Sequence, residues 1–509
     1  MEGHSKFKLP AIPAALVSRN PLQWFKFFGP GAIVASVTIG SGELIFSSRG
    51  GSIFGYRILW VFLLIAFLKW VFAYCSMRHM VLSGAHPFER WSLLSGPRGW
   101  FPLFMFAIAV PCYPIWFSFL AGILGTACTW VFGFGTHYIW ATIGLLVATI
   151  LLLLGTYEFL EKTQIFVLGL MVGCITITVF YVSPDWVEVF KGLIIPQSLS
   201  YPDWAVLKLP QLKDRSEWVE IMVYASAIGG SSFDYLAYVS FLRDKKWGMS
   251  SAGIASKQQL ETIEAQHDHP ARIWIKAAKV DTVVSFGMII VLSAMFAVLG
   301  TVILRPERLV PDGINLLNYQ ASFLVVLSPW LLPLYKLAVF FAFFGSLYAG
   351  AEMAFRVIFE YVNTLGRWRG KLPMAKVRLV SISYIMLGAI GIIWWSRFNP
   401  DIQLIDIVTP AAIYTGVLSC GFYGLATAWT DRRFLPAGLR MGGTLSAMNI
   451  VVGLAFIAMG LKALWDYDQV QAFVMLGASL GICIVLAWKL NFFLHRTPGG
   501  SLESPSNKI

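Results

Sequence analysis

The chain has 509 residues, of which 57% are hydrophobic and only 13% charged, and its mean hydropathy is +0.69. A soluble protein would carry roughly 25% charged residues, so this composition excludes an ordinary soluble domain. The net charge of +12 is interpreted as an excess of Lys and Arg in cytoplasmic loops with affinity for anionic lipid. The expected partner of the basic surface is therefore the lipid bilayer and not nucleic acid.

Apolar stretches recur along the whole chain, and about twelve of them approach the roughly 20 residues that a helix needs to cross the hydrocarbon core. They lie at 29–50, 57–83, 101–132, 137–157, 163–183, 218–242, 277–304, 322–352, 377–396, 402–430, 440–464 and 468–494. The sequence therefore predicts an all-α polytopic membrane protein with about twelve transmembrane helices.

The polar ends of the chain and its loops give the expected organisation. Residues 1–28 are predicted to be a cytoplasmic N-terminal segment, 29–496 a single transmembrane domain and 497–509 a disordered tail. Lys and Arg are concentrated in the loops on the N-terminal side of the bilayer, so both termini are expected to be cytoplasmic. We expect the protein to reside in a bacterial inner (plasma) membrane.

Two of the apolar stretches contain helix-breaking runs at about mid-membrane depth. The runs are Gly40-Ser41-Gly42-Glu43 in the first stretch and Gly229-Gly230-Ser231-Ser232-Phe233-Asp234 in the sixth. Hydrocarbon tolerates irregular backbone only where it lines a cavity, and a pair of interrupted helices in corresponding positions indicates a transporter's substrate site. The spacing predicts an inverted 5+5 repeat, 29–183 and 218–430, followed by two additional C-terminal helices within 440–494.

Several runs resemble the NRAMP (natural resistance-associated macrophage protein) metal-ion transporters. They are Gly29-Pro30-Gly31-Ala32-Ile33-Val34-Ala35-Ser36-Val37-Thr38-Ile39, Phe54-Gly55-Tyr56-Arg57-Ile58-Leu59-Trp60-Val61, Ser83-Gly84 and Leu160-Glu161-Lys162. The resemblance covers stretches one to ten and implies a LeuT-like fold that works by alternating access.

The chain departs from this family at the metal site. The family carries Asp-Pro-Gly-Asn in its first helix, where this chain has Gly40 to Glu43, and Met-Pro-His-Asn in its sixth, where this chain has Ser231 to Asp234. Acidic positions of the third helix that the family links to proton movement fall on Phe119 and Gly122. The thioether that selects soft transition metals is therefore absent from the sixth helix. A divergent branch with a changed substrate is predicted.

Glycine and serine at the two breaks favour a small planar anion as substrate. Consecutive backbone N–H groups freed by glycine can converge on an anion, a half-helix N-terminus attracts it, and serine hydroxyls can donate to it. The predicted substrate-binding residues are Gly40, Ser41, Gly42, Gly229, Gly230, Ser231 and Ser232. Bicarbonate, coupled to Na⁺ or H⁺, is the preferred small inorganic ion substrate.

Three charged residues near the breaks leave alternatives open. Glu43 and Asp234 are interpreted as carriers of the coupling ion, or alternatively as ligands of a hard divalent cation such as Mg²⁺ or Mn²⁺. Asp234 is also a candidate helix N-cap. Lys69, near the bilayer midplane, is the charge-compensating candidate, expected to pair with Glu43 or to attract an anion.

Other classes of function receive less support. The chain has no GxSxG, HExxH or P-loop pattern, so an enzyme is not expected. No cofactor beyond the coupling Na⁺ or H⁺ and no obligate protein partner are expected. A non-transporting membrane sensor on the same scaffold is the alternative from another class.

Overall fold

The computed structural model describes residues 9–154, 157–311, 328–364, 371–399 and 402–494, with four single residues between 319 and 325. In this part of the chain the secondary structure is helical and contains no strand, as the sequence predicts. The helices up to the sixth stretch are α1 (Ala14–Val17), α2 (Pro21–Trp24), α3 (Pro30–Thr38), α4 (Ser48–Phe54), α5 (Leu59–Ser83), α6 (Pro87–Trp91), α7 (Trp100–Phe132), α8 (His137–Leu154), α9 (Tyr157–Tyr181), α10 (Trp186–Ile194), α11 (Asp203–Lys208) and α12 (Glu217–Ala227).

The second half of the chain continues the bundle. Its helices are α13 (Ser232–Lys245), α14 (Lys257–Ala265), α15 (Pro270–Leu299), α16 (Leu332–Thr364), α17 (Met374–Arg397), α18 (Leu404–Ala412), α19 (Ser419–Phe434) and α20 (Gly443–Leu494). Among the described residues, nine helical stretches are long and apolar enough to cross a membrane, and two of them, Gly443–Asp468 and Val470–Lys489, lie within α20. Nine is fewer than the twelve predicted stretches, in part because Pro30–Ser83, which holds the first two stretches, is a single helical run and the sixth stretch is split.

The first apolar stretch is not broken at Gly40-Ser41-Gly42-Glu43, contrary to the expectation from its sequence. The backbone there is π-helical from Ile39 to Ser47, between α3 and α4. A π-helix widens the turn and changes the hydrogen-bonding pattern while the chain stays helical. Glycine permits non-helical backbone conformations but does not require them. Here the segment stays helical and packs closely against neighbouring helices.

The two predicted C-terminal stretches, 440–464 and 468–494, lie in one helix, α20. The intervening Trp465-Asp466-Tyr467 contains neither glycine nor proline, the residues that most often end a helix. Lys462 and Asp466 instead form an i,i+4 ion pair of 2.6 Å across this point. The two predicted stretches are thus both present as candidate spans, Gly443–Asp468 and Val470–Lys489, but they are parts of one continuous helix.

The interrupted sixth stretch sits in the middle of the bundle. α12 packs against the π-helical segment of the first stretch, and α13 packs against α5 and α16. α15 runs along α5 and also contacts α3 and α4. The break between α12 and α13 is therefore enclosed on several sides by other helices.

Candidate functional site

The sixth stretch is broken where its Gly-Gly-Ser-Ser run predicts. α12 ends at Ala227 and α13 begins at Ser232. Gly229 and Gly230 have φ values of +73° and +78°, in the left-handed region that favours glycine. The break leaves carbonyl oxygens of the last turn of α12 without helical partners, and these oxygens must be satisfied in another way.

Lys69, on α5, satisfies them. Its ammonium nitrogen donates to the carbonyl oxygens of Ala225 at 2.7 Å, Ser226 at 3.0 Å, Ile228 at 2.9 Å and Gly230 at 2.6 Å, and the side chain is fully buried. The C-terminal end of a helix carries partial negative charge, which favours a cation at this place. The sequence placed Lys69 beside the break, but its partners are backbone carbonyls, which the sequence did not predict.

Glu43 lies in the π-helical segment and is completely buried, and neither of its carboxylate oxygens has a hydrogen-bond partner among the described residues. The N–H of Gly229 and the Lys69 ammonium both act electrostatically on the carboxylate. The Gly229 N–H is close, but it does not meet the geometry of a hydrogen bond. A buried carboxyl group without a partner is costly and therefore marks a functional candidate.

Gly40 and Gly42 allow neighbouring helices to approach. A Cβ atom at Gly40 would overlap the Ser346 hydroxyl of α16, and one at Gly42 would lie 2.8 Å from the carbonyl oxygen of Ala227. Both residues are thus explained by packing in the described structure. The side chain of Ser41 lies outside the described residues.

Asp234 forms a capping box with Ser231. The Asp234 carboxylate accepts from the backbone N–H of Ser231 at 2.5 Å, and the Ser231 hydroxyl accepts from the backbone N–H of Asp234 at 3.4 Å. Ser231 is the N-cap of α13 and Asp234 is its N3 partner, so the Asp234 carboxylate takes part in capping without being the N-cap itself. Only Oδ2 takes part, and Oδ1 of Asp234 accepts no hydrogen bond among the described residues.

The glycine break does not present a free ring of N–H groups. The N–H of Gly230 donates to the Ala227 carbonyl at 3.3 Å, and the N–H of Ser231 is used by Asp234. The Ser232 hydroxyl is buried and lies 2.7 Å from the hydroxyl of Ser419. Among the residues predicted to bind an anion, Ser231 and Gly230 reach the cavity described next, whereas Ser232 faces α19.

A cavity of about 80 Å³ lies beside the break. It is bounded by α3, α7, the α12–α13 break, α16 and the π-helical segment Ile413–Leu418. Most of its lining is apolar or aromatic; the described residues with a polar or sulfur-containing side chain are Thr38, Cys112, Tyr113, Trp116, Ser226, Ser231, Asp234, Met353 and Thr415. Asp234 is the only charged residue among the described lining residues.

Two aromatic residues of α7 contribute polar groups to this cavity. The Tyr113 hydroxyl is buried and has no hydrogen-bond partner among the described residues, whereas the Trp116 indole N–H donates to Thr415 Oγ1 at 3.1 Å. Aromatic residues make up 15% of the chain, so their presence in the sequence alone does not indicate a site. Tyr235, another such aromatic, lies behind the break and donates to the Gly229 carbonyl at 2.7 Å.

Comparison with known proteins identifies the scaffold. The family model described as natural resistance-associated macrophage protein-like (Nramp) matches residues 31–466. The chain belongs to the NRAMP family. No curated protein is similar enough in sequence to this NRAMP-family chain to count as a match.

Solved structures agree with this family and with a LeuT-like fold. A manganese transporter of Eremococcus coleocola, in complex with an aromatic bis-isothiourea substituted compound, has 14% identity and a TM-score of 0.69, with 97% of each chain covered. A point mutant of the same transporter gives 13% identity and a TM-score of 0.69, with 95% of this chain and 97% of that chain covered. Mhp1, a nucleobase-cation-symport-1 family transporter, gives 13% identity and a TM-score of 0.53, with 92% of each chain covered. The fold is thus that of a transporter and not of an enzyme.

Proposed function

We propose that this NRAMP-family chain is a secondary active transporter of a hard divalent cation, Mg²⁺ in preference to Mn²⁺, carried with several of its water molecules. The observation that carries the proposal is the position of Asp234, the only charged residue among the described residues of the cavity lining. Mg²⁺ dehydrates reluctantly and binds through one or two carboxylates while keeping several waters.

The size and chemistry of the cavity support this choice. Its volume of about 80 Å³ leaves room for several water molecules around an ion, because one enclosed water needs roughly 10–15 Å³ on the same measure. Hydroxyl groups of Thr38, Ser231 and Thr415 among its lining residues are suitable partners for the water molecules of such a shell. Met353 and Cys112 also line the cavity, so Mn²⁺, which tolerates softer ligands better than Mg²⁺, is retained as the second cation.

Bicarbonate is the second candidate substrate. The unpartnered Tyr113 hydroxyl supports it, because a free hydroxyl can donate to an oxyanion. Three features weigh against it: the carboxylate of Asp234 repels an anion, the N–H groups of Gly230 and Ser231 are used internally, and Lys69 is directed to carbonyl oxygens. The cation therefore agrees better with the charge of the cavity.

Coupling is assigned to Glu43. A buried carboxyl group with two unpartnered oxygens beside the break is suited to gain and lose H⁺, or to take Na⁺, during alternating access. The Eremococcus coleocola protein on the same fold is a manganese transporter, which supports a metal ion as cargo for this scaffold. We place the protein in a bacterial inner membrane with both termini cytoplasmic, as the loop charges favour.

Uptake into liposomes that contain the purified full-length protein tests the proposal. Mg²⁺, Mn²⁺ and labelled bicarbonate are supplied separately, each with no gradient, with a pH gradient and with a Na⁺ gradient. The proposal expects Mg²⁺ uptake that exceeds Mn²⁺ uptake and no bicarbonate uptake above that of empty liposomes. Bicarbonate uptake without Mg²⁺ uptake would select the anion, and the absence of uptake of all three would select the non-transporting sensor.

A further inference from the structure

The Lys69 ammonium is surrounded as a bound cation would be. Four carbonyl oxygens, from Ala225, Ser226, Ile228 and Gly230, lie 2.6–3.0 Å from its nitrogen. An ammonium group has three N–H donors and no acceptor, so four oxygens at these distances are shared among three protons. Convergent backbone carbonyls are also the groups that bind monovalent metal ions in membrane proteins.

The surrounding charges favour a cation in this cradle of four carbonyls. The carboxylates of Glu43 and Asp234 and the thiol of Cys420 are the titratable groups that act on Lys69 from the neighbouring helices. Glu43 makes no hydrogen bond among the described residues, whereas one oxygen of Asp234 is held by Ser231. Two carboxylates and the negative end of α12 therefore face one buried positive charge.

The backbone of the break packs closely against the side chain of Lys69. A Cβ atom at Gly229 would lie 3.4 Å from Cδ of Lys69 and 3.3 Å from the ring of Phe286. The Tyr235 hydroxyl donates to the Gly229 carbonyl at 2.7 Å and to the Gly230 carbonyl at 3.2 Å, which helps to hold the Gly230 oxygen toward the ammonium. Contacts with Lys69 and with Tyr235 therefore both hold the carbonyl groups of the cradle in position.

We propose that Lys69 is a built-in cation that fills a monovalent-cation site at the end of α12, so that no Na⁺ or K⁺ is needed there. Removal of the side chain should expose a site that takes a small cation from solution. A primary alkylammonium ion is expected to be the best replacement, because it has the same three N–H donors as lysine. The part of this inference that concerns transport rests on the proposed function, whereas the part that concerns the cradle does not.

Chemical rescue of Lys69→Ala tests the inference. We expect the variant to have a melting temperature several degrees below that of the wild type, and we expect methylammonium chloride to restore part of the difference. Tetramethylammonium chloride at the same concentration supplies the same charge without N–H donors and should restore none. Lys336→Ala is the matched control, because Lys336 donates to the Trp130 carbonyl at 2.9 Å outside this cradle, and methylammonium should not act on it.

Lys69→Gln keeps the test informative if Lys69→Ala does not fold. Its amide can donate two hydrogen bonds to the carbonyls, so it should fold, with a melting temperature between those of the wild type and a Lys69→Met variant. The proposal that Lys69 is a built-in cation would be overturned by equal melting temperatures for wild type, Lys69→Gln and Lys69→Met. Equal rescue of Lys69→Ala by methylammonium and tetramethylammonium would also overturn it.

Downhill transport by Glu43→Gln gives a separate readout, because this variant lacks the carboxylate to which coupling by Na⁺ is assigned. Where the wild type takes up Mg²⁺, replacement of Na⁺ and K⁺ by choline on both sides of the membrane should change the downhill Mg²⁺ uptake rate of Glu43→Gln by less than about twofold, a difference of less than about 0.4 kcal/mol. A loss of tenfold or more on removal of Na⁺ would contradict the inference while leaving the transporter function intact. Absence of any Mg²⁺ uptake would count against the proposed function alone, because the melting temperatures of the Lys69 variants test the role of Lys69 without any transport.

Discussion

Arg49 Nε and Glu220 Oε1 lie 2.7 Å apart in a buried ion pair that joins α4 of the first stretch to α12 of the sixth. Arg215 adds a second contact to Glu220 at 3.1 Å and reaches Asp406 at 2.8 Å. The Tyr224 hydroxyl donates to Glu220 at 2.7 Å. Glu220 is thus the centre of a charged network that fixes the end of the sixth stretch farthest from Asp234.

Glu220→Gln should destabilise the protein strongly. The substitution leaves two arginines facing a neutral amide, and breaking a buried ion pair by removing one partner costs about 3–5 kcal/mol. The melting temperature of the purified protein, measured with and without Glu220→Gln, checks this expectation. Glu261→Gln is the control, because Glu261 is half-exposed and its 3.9 Å contact with Lys257 should contribute less than about 1 kcal/mol. Equal effects of the two substitutions would contradict the assigned role of Glu220.

Gly230→Val should abolish transport and lower stability. Gly230 has φ of +78°, and a Cβ atom there would lie 3.0 Å from Asp234 Oδ2 and 3.2 Å from the Thr38 methyl group. The left-handed conformation alone costs an L-residue about 1–2 kcal/mol, and β-branching adds to it. Gly287→Ala on α15 is the control, because a Cβ atom there meets no atom within 4 Å. Wild-type uptake by Gly230→Val would show that the site has been misplaced.

Ser231 and Ser232 should behave differently, although they are adjacent. Ser231→Ala removes the N-cap of α13 and a cavity hydroxyl, so we expect a loss of about 1 kcal/mol in stability and a clear loss of Mg²⁺ uptake. Ser232→Ala removes the hydroxyl contact to Ser419, so we expect a similar loss of stability with uptake within about twofold of the wild type. Melting temperature and initial uptake rate, measured on both variants, separate the two roles. A larger loss of uptake in Ser232→Ala would reverse the assignment.

Glu43→Gln should keep the fold and lose ion coupling. The amide is nearly isosteric with the carboxyl group, and neither oxygen of Glu43 makes a hydrogen bond among the described residues that the substitution would remove. Downhill Mg²⁺ uptake is expected to persist, while its stimulation by a pH or Na⁺ gradient disappears. The ratio of uptake with and without each gradient measures this effect. Unchanged stimulation in the variant would move coupling away from Glu43.

The global fold and the break in the sixth stretch could be predicted from the sequence. Long apolar stretches can satisfy their backbone polar groups in a membrane only by forming helices. Gly229 and Gly230 have low helix propensity, and the two serines that follow them have only moderate propensity, so a break at this point is expected. The same reasoning was wrong for Gly40 and Gly42. Those glycines permit the close approach of α16 and of the Ala227 carbonyl, a tertiary effect that local sequence does not reveal.

The contacts that organise the site join residues far apart in the chain. Lys69 meets the carbonyl of Gly230 across 161 positions, and Arg49 meets Glu220 across 171. Asp281, which the sequence did not single out, accepts from the backbone N–H groups of Gly29 and Gly31 and from the Tyr238 hydroxyl. A single sequence shows that such charged groups are buried, and therefore need partners, but it does not show which partners they find.

Initial rates of Mg²⁺ uptake into liposomes that contain wild-type or Asp234→Asn protein test most directly whether Asp234 provides the negative charge for a cation in the cavity. Asparagine can still accept a hydrogen bond from the Ser231 N–H through its side-chain oxygen, so the substitution removes the charge while preserving the local structure. Asp185→Asn, which changes the N-cap of α10 outside the cavity, is the matched control. A tenfold or greater loss of uptake in Asp234→Asn, with wild-type uptake in Asp185→Asn, is the predicted result. Mg²⁺ uptake by Asp234→Asn equal to that of the wild type would contradict it.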